Sequence, residues 1–307
     1  MNISVIIPTY NPDLSNINEA LNSLKAQTFD RSNWELIVVD NNSTNGVPDA
    51  LDLSWHVNSS IIKEPQQGLT HSRICGINHA KGNVIVMVDD DNILAPDYLQ
   101  IVLTCFNENA DLGAAGGIIE GKFNGFTPQG WTKQFWGMLA IRNQGDEAIV
   151  SAPLLSNNYP DFAPVGAGMA VRKALLDIYI ESISYKGTII TDRTGDSLSS
   201  GGDNEIIINV LKQGYSIAYF PGLLLQHIIP ASRLTVDYLS RLNYESSKSW
   251  VRLLLKYNLC PWDIIPHWSV SLRKLKAWFN FKAWASQVNY IKWKGACGVF
   301  DGLAYKK

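Results

Sequence analysis

Short apolar runs that stop abruptly in polar residues alternate with helical patterns over the first hundred residues of the chain. Ile3 to Pro8, Trp34 to Val39 and Val84 to Val88 are near-continuous and rich in β-branched residues, with Ser60 to Lys63 a shorter fourth run. Between and after them, Asn16 to Gln27, Thr70 to Ala80 and Asp97 to Phe106 read as helices. Strands that are apolar on both faces belong to a mainly parallel sheet covered by helices on both sides. Right-handed crossovers then give a Rossmann-like, doubly wound α/β arrangement. In such a sheet ligands bind beyond the carboxyl ends of the strands. Three polar clusters occupy that position, Thr9-Tyr10-Asn11, Asp40-Asn41-Asn42-Ser43 and Asp89-Asp90-Asp91-Asn92, and all should meet on one rim.

Farther along, strands are expected near Phe162, over Ala167 to Arg172, over Ser216 to Phe220 and over Leu223 to Gln226, with a loop from Thr188 to Gly202. Asp203 to Gln213 reads as a helix, and Pro230 to Leu239 as the capped start of another. At 307 residues and 46% hydrophobic the chain is long enough for a core that needs no disulfides. Its four cysteines form no CxxC pair, so they read as free thiols in a reducing compartment. Neither a secretory signal nor an apolar stretch of membrane-spanning length stands out, which places the chain in the cytoplasm.

The acidic triplet carries the most chemistry. Three adjacent carboxylates after a strand repel one another, and a divalent cation relieves that repulsion. Mg²⁺ or Mn²⁺ takes hard oxygen ligands, commonly one or two carboxylates plus substrate phosphates. In an extended segment Asp89 and Asp91 would share a side and Asp90 would face away. The bland alternative, acids feeding the start of the next helix, suits one Asp better than three. Asp40 could accept hydrogen bonds from a nucleobase or ribose, or could serve only as a turn residue.

Together these motifs resemble those of family 2 glycosyltransferases with the GT-A fold. The likeness rests on Ile6-Ile7-Pro8-Thr9-Tyr10-Asn11, Val38-Val39-Asp40-Asn41-Asn42-Ser43 and Val88-Asp89-Asp90-Asp91-Asn92, then Gly68, Ser72-Arg73 and Gly76. It continues through Gly201-Gly202-Asp203-Asn204-Glu205-Ile206 and Gly214-Tyr215 to Pro221 and His227, covering roughly 1–230. The resemblance implies a nucleotide-sugar site at Pro8, Thr9, Tyr10, Asn11, Asp40, Asn42, Gly68, Arg73, Asp89 and Asp90. It also implies a DxD metal site at Asp89 and Asp91, with His227 as a third ligand to Mn²⁺ or Mg²⁺. Asp203 matches the general base of inverting members, with Glu205 in reserve. The sequence departs from the family where Gly202 replaces the usual Glu before the base, and where Ile74 replaces the usual Asn after the Arg. A UDP-sugar donor and a glycan or lipid-linked acceptor in surface polysaccharide synthesis follow from the resemblance, while the acidic body argues against a nucleic-acid partner.

The implied organisation is a catalytic domain over 1–232 and a helical extension over 233–307. The first divides into a nucleotide half, about 1–120, and an acceptor half, about 121–232. The formal net charge is −2, yet residues 241–307 hold twelve Lys/Arg against three Asp/Glu, a net of +9 that leaves −11 for the rest. Six of the ten Trp fall there too. Basic, Trp-bearing helices suit an anionic membrane surface, so residues 245–307 could hold the chain peripherally at the inner face of the cell membrane. Alternatively the Trp pack inward as a helical cap. Other classes fare worse. A DxD phosphatase carries its motif after the first strand, and a dinucleotide oxidoreductase needs GxGxxG there. A non-catalytic nucleotide-sugar or polysaccharide binder is kept open by Gly202.

Overall fold

The computed structural model describes residues 1–151, 159–186, 198 and 201–304. In chain order the strands and helices are β1 (Ile3–Thr9), α1 (Leu14–Lys25), β2 (Trp34–Asp40), β3 (Ser59–Lys63), α2 (Leu69–His79), β4 (Val84–Met87), β5 (Asn92–Leu94), α3 (Tyr98–Glu108), β6 (Leu112–Gly116) and β7 (Ile119–Lys122). There follow β8 (Ile149–Val150), β9 (Ala170–Arg172), α4 (Lys173–Lys186), α5 (Gly202–Lys212), β10 (Ser216–Tyr219), β11 (Leu225–Ile228), α6 (Val236–Lys256), α7 (Val270–Asn280) and α8 (Gln287–Leu303). The chain divides into two compact units. The first is Met1–Lys122, Ala140–Ile189 and Asp203–Ile228; the second is Phe123–Leu139, Ile190–Gly202 and Ile229–Lys307.

All the strands lie in the first unit. The main sheet runs β3-β2-β1-β4-β9-β6-β10-β8. Its first four strands are parallel, with Ile3 to Thr9 in unbroken register against Trp34 to Asp40. Alternate side chains feed two cores, as the pleat requires. Val5, Ile7, Leu36, Val38 and Val86 face one, with residues of α1 and α3. Ile6, Ile37, Val39, Ile85 and Met87 face the other, with residues of α4 and α5. Helices thus cover both faces of a mainly parallel sheet, the architecture the alternation predicted.

Two features are new. Strand β9 runs antiparallel between β4 and β6, and β8 pairs antiparallel with β10 at the edge. A second sheet, β5-β11-β7, sits beyond the triplet, with β11 antiparallel to β5 and parallel to β7. The strand expected near Phe162 does not form. The carbonyls of Asp161 and Ala163 are taken by the guanidinium of Arg142, at 2.8 and 2.6 Å, so they pair with a side chain instead of a ladder. The strand over Ala167 to Arg172 is shortened to Ala170–Arg172, and that over Leu223 to Gln226 begins at Leu225. The expected loop from Thr188 to Gly202 lies almost entirely outside the described residues.

In the second unit, Thr235 caps α6 by accepting from the Tyr238 N–H at 3.2 Å, as the Pro230 to Leu239 reading predicted. Helix α8 meets α6 along a seam of glycines. A methyl group on Gly298 would lie 2.1 Å from the Tyr244 carbonyl oxygen, and one on Gly302 would lie 2.7 Å from Val251 Cβ. Gly298→Ala is therefore expected to force the helices apart, at a cost of about 3 kcal/mol offset by about 1 kcal/mol of better helix propensity. Denaturant unfolding of the whole chain checks this, with Gly137→Ala, which meets nothing within 4 Å, as the neutral control. No helix among the described residues is long and apolar enough to cross a membrane.

Candidate active site

The rim begins with the clasp between the ends of β1 and β2. Asn11 takes a left-handed conformation (φ 48°), as does Asn42 (φ 62°), a region Asn tolerates better than most residues. The Asn11 side-chain oxygen accepts from the backbone N–H groups of Thr44 and Asn45 at 2.7 and 3.2 Å, and its own N–H donates to Ser43 Oγ at 2.9 Å. Asp40 is buried and accepts from the Ser43 N–H at 2.9 Å, which ties the end of β2 to the turn that follows. Pro8 and Thr9 are buried in β1, whereas Tyr10 and Asn42 are exposed on the rim.

Asn41, which the sequence did not single out, joins this clasp to the next loop. Its amide donates to the carbonyls of Glu64 and Gln66 at 3.0 and 2.8 Å, and its oxygen accepts from the Gly68 N–H at 2.7 Å. Gly68 opens α2 at φ 135°, where a side chain would be strained. One turn later α2 delivers Arg73, buried, with Nη2 3.9 Å from Asp89 Oδ1.

The acidic triplet forms a turn, closed by the Asn92 N–H donating to the Asp89 carbonyl at 3.0 Å. The extended alternation expected there is corrected accordingly, and each carboxylate finds its own partner. Asp89 leans toward Arg73, Asp90 accepts the Thr9 hydroxyl, and Asp91 Oδ2 lies 3.3 Å from His227 Nε2. His227 arrives there through the second sheet. Strand β11 pairs His227 with Asn92, and the Ile228 N–H donates to the Asp91 carbonyl at 2.9 Å. Asp91 and His227 are both buried, with a carboxylate oxygen facing an imidazole nitrogen. Of the three expected metal ligands, then, two are side by side. No set of three His, Cys, Asp or Glu side chains converges among the described residues.

Asp203 stands in the first turn of α5. Its Oδ2 accepts from the Gly166 N–H at 3.0 Å and its Oδ1 from the Asn204 N–H at 2.8 Å. Glu205, the reserve candidate, is fully buried and accepts from the Tyr179 hydroxyl at 3.3 Å. Gly166 also backs onto Arg73, since a methyl group there would lie 2.5 Å from Arg73 Nη2. One residue without a side chain thus touches both the expected phosphate-binding cation and the expected base.

Around Asp203 gather groups that no motif announced. Tyr159 donates to Asn204 Oδ1 at 2.8 Å, and burial together with the Asp203 carboxylate pushes its phenol well above the usual range. Burial lowers the Arg142 guanidinium, opposed by Tyr159, Tyr219 and Asp203. Arg142, Phe162, Pro164 and Tyr219 line a small hollow with Gly116 and Gly117.

Comparison with known proteins gives this geometry its context. The glucosyl-dolichyl phosphate glucuronosyltransferase of Haloferax volcanii is 23% identical over 247 residues, 78% of this chain and 73% of that protein. Glycosyltransferase AglE of the same organism is 34% identical over 92 residues, spanning only 30% of its length. Among solved structures, Staphylococcus aureus TarS 1-349 in complex with UDP-GlcNAc has a TM-score of 0.55 at 15% identity, covering 99% of this chain and 90% of that one. The mannosyltransferase PcManGT of Pyrobaculum calidifontis, in complex with GDP-Man and Mn²⁺, has a TM-score of 0.57 at 18% identity, covering 97% and 72%. The family model for glycosyl transferase family 2 matches residues 4–169, a stretch that holds Thr9, Asp40, Arg73, the acidic triplet and Gly166. This chain therefore belongs to glycosyl transferase family 2 and is a glycosyltransferase of GT-A fold.

Proposed function

We propose that the chain transfers a sugar from a nucleoside diphosphate, UDP in the first instance, to a hydroxyl of a glycan or lipid-linked glycan, inverting the anomeric configuration. Surface polysaccharide synthesis is the setting we infer. The observation that carries the reading is the Arg73–Gly166–Asp203 contact. It sets a buried cation for phosphate and an oriented carboxylate for an acceptor on either side of one glycine.

The donor set at the triplet fits a divalent ion. Asp91 and His227 offer oxygen and nitrogen 3.3 Å apart in a buried setting, a combination that suits Mn²⁺ better than Mg²⁺. Asp91 and His227, with Asp89, would hold it, and the ion when bound neutralises the diphosphate as the nucleotide departs. Arg73 adds a charge-assisted donor to the phosphate. The clasp of Pro8, Thr9, Tyr10, Asn11, Asp40 and Asn42, with Gly68, would hold the nucleoside. Asp203, its lone pairs oriented by Gly166 and Asn204, accepts the proton of the acceptor hydroxyl as that oxygen attacks the anomeric carbon. A lipid-linked acceptor is in keeping with the dolichyl-phosphate substrate in the relative's name. UDP-GlcNAc in TarS and GDP-Man with Mn²⁺ in PcManGT support a sugar nucleotide and a metal.

A thermal-shift panel of UDP- and GDP-sugars, each with and without Mn²⁺, tests this. Ligand at about a hundred times its Kd stabilises by about 2.7 kcal/mol, so the true donor should raise Tm by about 5 °C, and only with the metal. A panel with no such member overturns the donor assignment. Slow Mn²⁺-dependent hydrolysis of the same sugar nucleotide separates a catalyst from a binder.

A further inference from the structure

Helix α7 carries two apolar faces. Its inner face, Val270, Ala277 and the half-buried Trp278, packs within the second unit, where the Trp278 ring meets that of Trp293 edge to face at 4.7 Å. Its outer face carries Leu272, Leu275 and Phe279, at 62, 56 and 59% exposure, continued one turn back by Trp268 at 77%. Their spacing of four, three and four residues puts all four on one stripe. Beyond the end of the helix, Trp284 is 58% exposed and touches Phe279 edge to face at 5.7 Å. Scattered exposed apolar residues need no explanation, but an aligned stripe of five large side chains marks an interaction surface.

Charge identifies what lies opposite. Arg273 and Lys276 stand exposed on one flank of the stripe, and Lys282 just past it. Residues 264–300 contain six Lys/Arg and not one Asp or Glu. A protein partner recognised by an apolar stripe needs no such one-sided field, whereas anionic lipid headgroups do. Trp and Phe at a headgroup boundary, with long cationic side chains reaching back to the phosphates, are the composition of a helix lying in the bilayer interface.

We propose that the outer face of α7, with Trp268 and Trp284, is a docking surface for an anionic lipid bilayer. Trp268, Leu272, Leu275 and Phe279 enter the headgroup boundary while Arg273, Lys276 and Lys282 meet lipid phosphates. The proposal deepens the reading of a lipid-linked acceptor, since it brings the enzyme to the surface where such an acceptor resides, but it stands on α7 alone.

The test is flotation of the full chain with phosphatidylcholine vesicles, with and without phosphatidylglycerol, alongside size-exclusion chromatography and thermal unfolding. The wild-type chain should float with the anionic vesicles. Leu272→Ser/Leu275→Ser/Phe279→Ser should lower binding about tenfold or more without lowering Tm, because the replaced side chains are exposed. Arg273→Glu/Lys276→Glu should weaken binding to anionic vesicles only, and high salt should mimic it. A blue shift of Trp emission on vesicle addition, absent in Trp268→Ser/Trp284→Ser, should accompany flotation. Failure of the wild-type chain to float, or flotation of the serine variant at the wild-type level, overturns the proposal. So does a wild-type dimer that the serine variant converts to monomer, which would make the stripe a contact between copies of this chain. Sugar-nucleotide binding, measured on the same samples, should be equal in all variants. Its loss everywhere would count against the proposed donor, not against the docking face.

Discussion

Asp91→Ala is expected to lower turnover by about a thousandfold and to abolish the Mn²⁺-dependent thermal shift given by the donor. Several kcal/mol of leaving-group stabilisation pass through that carboxylate if it holds the ion, and each 1.36 kcal/mol is a factor of ten. Asp91 is buried and pairs with His227 at 3.3 Å, so the substitution also takes that partner from a buried imidazole. Asp91→Asn is the companion variant, because it keeps the shape and can still meet His227. Kinetics and calorimetric Mn²⁺ titration on both variants decide the matter. If both lose turnover and metal affinity while retaining the wild-type unfolding temperature, the loss belongs to the site and not to the fold. A fully active Asp91→Ala enzyme would remove the triplet from the chemistry.

The second large effect belongs to Asp203. Asp203→Asn should lower kcat by about 10² to 10⁴, the range a positioned general base contributes, while donor affinity changes little. The variant keeps the side chain's shape and one of its two backbone hydrogen bonds. The Gly166 and Asn204 N–H groups both donate to the carboxylate, and an Asn side-chain oxygen can still accept one of them. Steady-state rates with donor saturated, set beside the thermal shift of the same variant, separate the two quantities. An equal loss of donor binding and turnover would mean that Asp203 acts by holding the loop around Gly166, with no role in proton transfer.

How much of this was legible beforehand differs from element to element. Strands β1, β2 and β4 were readable because burial on both faces leaves a continuous apolar run, and their polar ends marked the rim without further information. Strand β9 was readable as a strand but not as an antiparallel one, since direction depends on the route the chain takes back to the sheet. The turn at Asp89–Asn92 was misread as extended because periodicity says nothing about a closing hydrogen bond. The pairing of His227 with Asp91 was foreseeable only as a resemblance. Its physical cause, the register of β11 on β5, spans more than 130 residues of sequence. Arg142, Tyr159 and Gly166 gave no signal at all. Each acts through backbone carbonyls, a neighbouring amide or an absent side chain, none of which leaves a pattern in composition or spacing. The tail was ambiguous for a plainer reason. Trp278 and Trp293 are half-buried against each other while Trp268 and Trp284 lie outside, and a helical repeat of aromatic residues does not say which face is which.

The glycine seam between α6 and α8 bears on that division. Where two helices close by bringing backbone against backbone at Gly298, they need few bulky residues to fill the space between them. Along that seam backbone contact takes the place of large side chains, which leaves leucine, phenylalanine and tryptophan of α7 and its flanks available to the exterior. Natural drift should then fall unevenly on the C-terminal helices. Position 298 tolerates no enlargement, whereas the exterior of α7 can vary in step with whatever it meets without endangering the scaffold beneath.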